Sequence, residues 1–135
     1  MVRTTVKMLV IIGAVMALAV ACGDDSDSDE ASTDISTTAT EFEYDSNEWT
    51  VPAGEEFTID FTNDGAVDHE WAVLTEEIES QAEFNEDIVL FEVEATPAGE
   101  SVSESFTVDE AGTYQVICAL EDHFDAGMEG TLTVE

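Results

Sequence analysis

The chain has 135 residues, enough for one domain, with 33 acidic residues, two basic ones and a formal net charge of −31. Both basic residues, Arg3 and Lys7, lie near the N-terminus, so beyond Lys7 the chain carries no lysine or arginine at all. Nucleic acid is excluded as a partner, because neutralising phosphates requires cations. Like-charge repulsion on this scale predicts a domain that folds best when salt screens it, as in a halophilic or marine protein.

Residues 1–22 read as an export signal: Arg3 and Lys7 form a positive n-region, Met8 to Ala19 an apolar core, and small residues surround Ala21-Cys22. The apolar core is too short for a spanning helix. Leu18-Ala19-Val20-Ala21-Cys22 is similar to a bacterial lipobox, with Leu18 one place further from the cysteine than the usual pattern. Cys22 is therefore the expected site of lipid attachment, and the alternative is an ordinary secretory signal with an incidental cysteine. Both place the domain outside the cytoplasm, on the outer face of the membrane or in the periplasm.

The stretch 23–40, GDDSDSDEASTDISTTAT, is rich in Ser, Thr and Asp with one large apolar residue, Ile35. That composition predicts a flexible linker that holds an anchored domain clear of the membrane.

From residue 41 the pattern is that of short strands. Glu41-Phe42-Glu43-Tyr44 alternates, Trp49-Thr50-Val51 follows, and Pro52-Ala53-Gly54 turns. Phe57, Ile59 and Phe61 share one face of the next strand, which ends at Asn63-Asp64-Gly65. His69 opens a strand with Trp71 and Val73 on its face and Ala72 and Leu74 on the other. Glu76 to Phe84 is the single passage compatible with a short helix. Strands follow over Ile88 to Val93, Val102 to Val108, Thr113 to Cys118 and Gly130 to Val134, separated by Gly and Pro turns. The expectation is an all-β, antiparallel Greek-key sandwich spanning residues 41–135.

Between the last two strands lie Cys118, His123 and Met128 at spacing C-x4-H-x4-M. Thiolate, imidazole and thioether on one short loop are soft-to-borderline ligands that suit copper. Beyond the loop the chain has one other histidine, His69, so the four form a candidate mononuclear copper site. Zinc would bind some of them, but a structural zinc usually takes more cysteines and thioether is a poor zinc ligand. Taken singly, each residue is also an ordinary core or surface choice; the joint spacing between strands is what points to a metal. Gly127 is expected to let the loop close tightly, and a metal cation would favour the Cys118 thiolate. Glu121 and Asp122 are expected to favour protonated His123 once metal is absent.

These stretches together resemble the cupredoxin superfamily of small blue-copper proteins. The resemblance covers about residues 40–135 and rests on EFEYDSNEWTVPAGEEFTIDFTNDG, DHEWAVL and AGTYQVICALEDHFDAGMEGTLTV. The family's V-P-A-G turn, strand-ending Asn and first His fall on Val51 to Gly54, Asn63 and His69. Its second cluster falls on Cys118, His123 and Met128, with a spacing most similar to the rusticyanin and sulfocyanin type. The resemblance implies a type 1 copper ion and single-electron transfer through the loop histidine.

Phe124, Ala126 and Gly127 are then the expected apolar docking patch, set in an acidic surface. The expected partner is a redox protein with a basic face, a cytochrome or an oxidase domain. No catalytic residue and no small-molecule substrate are expected, because oxidase or reductase chemistry needs further copper sites that two histidines cannot supply. The competing role is copper delivery or storage with the same ligands. An immunoglobulin-like module fails for want of a second cysteine in the domain.

Overall fold

The computed structural model describes residues 30–135. The expected signal over 1–22, the lipid site at Cys22 and the first part of the expected linker lie outside the described residues.

Among the described residues nine strands follow one another: β1 (Asp34–Thr40), β2 (Glu43–Tyr44), β3 (Glu48–Val51), β4 (Glu56–Asn63), β5 (His69–Leu74), β6 (Val89–Thr96), β7 (Ser101–Thr107), β8 (Gly112–Ile117) and β9 (Glu129–Val134). They form a four-stranded sheet in the order β2-β1-β4-β7 and a five-stranded sheet in the order β3-β9-β8-β5-β6. The expected sandwich is present, but neither sheet is purely antiparallel. β1 runs parallel to β4, pairing Ile35 with Ile59 and Thr37 with Phe61. β3 runs parallel to β9, pairing Trp49 with Leu132 and Val51 with Val134. Hairpin logic finds antiparallel neighbours; parallel pairs join strands distant in sequence, which local alternation does not reveal.

Period-two alternation makes the core. In β4, Phe57, Ile59, Phe61 and Asn63 point inward while Glu56, Thr58, Asp60 and Thr62 point outward. They meet Trp49, Val51, Trp71, Val73, Val93, Val116, Leu132 and Val134 from the opposing sheet. Each such large side chain contributes roughly 1.5–3 kcal/mol through burial. Trp49 and Trp71 meet edge to face at 5.4 Å.

Three expectations are corrected here. Residues 34–40 are not linker but a strand, with Ile35, Thr37 and Ala39 buried against the core. The Thr37 hydroxyl and the Thr38 amide donate to Asp45 at 3.0 and 2.7 Å, which ties β1 to the turn beyond β2. These amide and hydroxyl donors, led by the Thr38 backbone N–H, hold the Asp45 carboxyl below its usual range. Next, β2 is only Glu43–Tyr44: Tyr44 is buried, whereas Phe42 sits in the preceding turn with 40% of its surface exposed. Last, the passage 76–84, compatible in sequence with a short helix, carries only one 3-10 turn, Gln81–Glu83, and a second, Glu86–Ile88, follows it.

That segment has a structural task. Ile78 and Ile88 cover the outer face of the five-stranded sheet and make a second cluster with Ala72, Leu74, Ile117 and Phe124. β5 therefore has both faces covered, and five of its six residues are buried. The pairing of β5 with β8, Ala72 to Ile117 and Val73 to Val116, brings the start of β5 and the end of β8 to the same end of the sheet.

Candidate metal centre

The end of β8 and the start of β9 are paired, Val116 to Gly130 and Ile117 to Glu129, so residues 118–128 are the loop of a wide hairpin. The loop is wound by its own backbone bonds: His123 N–H donates to Leu120 C=O at 3.1 Å and Ala126 N–H to Asp122 C=O at 3.1 Å. Gly127 has φ +105°, a conformation that side chains disfavour, so the expected role of that glycine in closing the loop holds. At the loop's mouth Cys118 N–H donates to Met128 C=O at 3.2 Å, and Met128 N–H donates to His123 C=O at 3.2 Å.

His69, at the start of β5, is fully buried beside this loop. The ligand atoms of His69, Cys118 and His123 all lie within 4.8 Å of one another. The Cys118 thiol and His123 Nδ1 are 3.2 Å apart, and the two imidazole rings are 5.1 Å apart between centroids. Cys118, the free cysteine of the described residues, is completely buried, as is Met128. Two backbone N–H groups, of Glu70 at 3.3 Å and of Leu120, point at the sulfur.

The protonation pattern matches a place for a cation. Burial pushes the Cys118 thiol up to about 11, against the help of those two amides. Metal binding to this sulfur must therefore displace its proton. For His123 the expectation is overturned: its basicity is lowered, first by burial and then by His69, and both outweigh Asp122 and Glu41. A ring kept neutral offers a lone pair rather than a second proton. His69 Nδ1 is buried with no hydrogen-bond partner. A buried ring nitrogen left without a partner is costly unless something accepts its lone pair, and a soft cation between two imidazoles and a thiolate does so.

Sequence reasoning placed Phe124 in an exposed docking rim. Phe124 is only 7% exposed and packs inward with Ile117, Leu74 and Ile88, so it belongs to the second hydrophobic cluster. Ala126 and Gly127 are exposed as expected. The aromatic side chain at the half-exposed His123 ring is instead Phe42, edge to face at 4.9 Å. Val67, 43% exposed, belongs to the loop that the neighbouring residue Glu41 holds. Neither Phe42 nor Glu41 stood out as a site residue, because residues 41–44 read as a half-buried strand, whereas 41–42 form a turn.

Further from the metal position, the Tyr44 hydroxyl donates to Glu70 C=O at 2.6 Å, and so fixes the peptide that points an N–H at Cys118. Asn63 is fully buried and pins the loop ahead of His69, donating to Val67 C=O and Thr96 C=O, each at 2.7 Å, and accepting from Gly65 N–H at 2.9 Å.

A mixed β-sandwich in which a buried His, a buried Cys and a partly exposed His converge at one end is the architecture of small copper proteins, and residues 31–135 match the family of copper-binding proteins of the plastocyanin/azurin type. The chain belongs to that family, and its cofactor is one copper ion that His69, Cys118 and His123 are positioned to hold. Among curated relatives, Auracyanin-B of Chloroflexus aurantiacus is 32% identical over 102 residues, which is 62% of this chain and 43% of the relative. The chain thus spans less than half the length of that relative. Among solved structures, sodium-dithionite-reduced auracyanin from the photosynthetic bacterium Roseiflexus castenholzii superposes with a TM-score of 0.70 at 26% identity, over 78% of this chain and 99% of that one. Reduced rusticyanin, at 20% identity and a TM-score of 0.60 over 78% of this chain and 82% of that one, shares the fold.

Proposed function

We propose that the protein is a type 1 copper protein that passes single electrons between redox partners outside the cytoplasm, and not an enzyme. The observation that carries this reading is the convergence of a buried thiol and two imidazoles, one with an orphaned Nδ1, behind a half-exposed His123. Bound copper supplies a one-electron couple between Cu(I) and Cu(II). Every other element of the role belongs to the chain. His69 and Cys118 come from paired strands, so the ligand positions are set before any metal arrives. In this reading Met128 would supply a weak thioether ligand, held at the loop mouth by its backbone bonds to Cys118 and His123. Burial of Cys118, His69 and Met128 keeps water from the ligand set. The same enclosure disfavours rapid handover, which weighs against copper delivery or storage.

His123 is the route in and out for the electron, and the docking rim around it consists of Phe42, Val67, Ala126 and Gly127. Around this apolar rim the chain is acidic and, from residue 30 onward, has no Lys or Arg. The complementary partner is a redox protein, a cytochrome or an oxidase domain, whose docking face is basic around an apolar centre. The export signal at 1–22 and the lipobox-like Cys22 support a domain tethered to the outer face of the membrane.

The test is to add Cu(II) to the purified protein. An intense blue thiolate-to-copper band is expected, and Cys118→Ser should lack it. A colourless protein that retains a free thiol after reconstitution would sink the proposal.

A further inference from the structure

The turn between β1 and β2 reaches the metal position from outside. One oxygen of Glu41, Oε1, gathers three contacts: Ala66 N–H at 2.5 Å, Val67 N–H at 3.2 Å and His69 Nε2 at 3.3 Å. The Glu41 side chain is partly exposed, whereas His69 is fully buried. Gly65 lies against both groups: a Cβ there would collide with Glu41 Oε1 and come within 2.8 Å of His69 Nε2. Space for this contact therefore depends on a residue without a side chain.

An imidazole with one ring proton can carry it on either nitrogen, and its hydrogen-bond partner decides which. The Glu41 oxygen already accepts from two backbone N–H groups, of Ala66 and Val67, as a carboxylate does. An ionised carboxylate only accepts, so the proton between the two groups belongs on His69 Nε2. Nδ1 is then the bare nitrogen, the same atom that is buried without a partner. The contact places the ring proton on Nε2, and the orphan shows that no group of the chain takes up Nδ1.

We infer that Glu41 is a positioning residue of the metal centre: its carboxylate fixes His69 as the Nε2-protonated tautomer, aims Nδ1 at the metal, and places a fixed negative charge one ring away. The inference rests on the copper reading above, but the tautomer itself does not require metal. A carboxylate behind a ligating histidine raises that ligand's basicity and orients its ring, and loss of such partners commonly lowers metal affinity about 10- to 100-fold. A negative charge at this distance also favours the more positive oxidation state of whatever the ring holds.

Three proteins test it: wild type, Glu41→Gln and Glu41→Ala. In the metal-free wild type, histidine 15N shifts in mildly alkaline buffer should report a single His69 tautomer, protonated on Nε2. Glu41→Gln keeps an accepting oxygen and loses the charge; it should retain the tautomer and the blue band while the reduction potential rises. Glu41→Ala removes the acceptor; it should give mixed tautomers and copper binding weaker by about 10- to 100-fold. The glutamine variant is nearly isosteric, so the charge effect stays measurable even if the alanine variant loosens residues 64–68. A His69 proton on Nδ1 in the wild type would overturn the inference, as would a glutamine variant with an unchanged potential. If the wild type never turns blue, the copper reading falls, while the tautomer measurement still decides the role of Glu41.

Discussion

Met128 is fully buried, and its peptide is bonded on one side to Cys118 and on the other to His123, so loop closure sets it beside these two residues. A thioether there would donate weakly to a bound copper ion and favour its oxidised state. Met128→Leu fills nearly the same volume with no donor. The variant should keep copper and its blue colour, with a higher potential measured by redox titration. An unchanged potential would mean that the sulfur is not a ligand. The ligand types were legible in the sequence because cysteine, histidine and methionine are scarce in this chain and fall at one spacing between strands. Glu41 was not: it is one of 33 acidic residues, and nothing local marks the one that reaches a ring nitrogen 28 positions later. Phe124 misled for a related reason. A loop has no fixed period, so sequence could not say which of its side chains turn inward, and the outer cluster that receives Phe124 is built from a segment with no clear pattern.

At the scale of elements, the strand least visible in the sequence is β1. Its inward side chains are Ile35, Thr37 and Ala39, only one of them large, and its outward ones are Asp34, Ser36 and Thr38. Composition alone reads that as solvated chain. Its stability comes from the parallel ladder to β4 and from the Asp45 acceptor, both supplied by distant residues. Ile35→Ala tests the point. A linker residue would tolerate it, but a side chain buried opposite Ile59 should cost about 2 kcal/mol, at the low end for such truncations because Ile35 lies near the start of its strand. Chemical denaturation of the folded chain should show an earlier midpoint with little change in slope; an unchanged midpoint would return residues 34–40 to linker. By contrast β4, β5, β8 and β9 were readable, since large apolar residues alternate in them or bracket the ligands. β1 also matters beyond its packing, because it delivers the Glu41–Phe42 turn to the two histidines.

For the whole molecule the governing quantity is charge. The net charge is −31, and no lysine or arginine lies among residues 30–135, so acidic side chains there are opposed only by hydrogen bonds, helped at one point by His69. Repulsion of this kind falls with ionic strength, since the screening length is about 10 Å at 0.1 M salt and about 3 Å at 1 M. The melting temperature should therefore climb steadily with salt, and indifference to salt would defeat the expectation of a salt-dependent fold. Glu92 on β6 shows the effect locally. Burial first, then the charges of Glu86 and Glu94, holds its carboxyl above the usual range, and Glu70 on the neighbouring strand is itself pushed up to about 7, first by burial and then by Glu92. A carboxyl whose folded value exceeds its unfolded one keeps its proton in the fold after the open chain has lost it. Its contribution is complete below the ordinary glutamate value and disappears as pH rises through the raised one. Glu41 and Asp45, held low, act in the opposite sense, and their contribution is lost only in stronger acid. Glu92→Gln should thus raise the melting temperature of the metal-free protein at neutral pH and low salt, with the gain shrinking toward mildly acidic pH and again in high salt. A gain that is constant across both would show that its origin is packing and not charge.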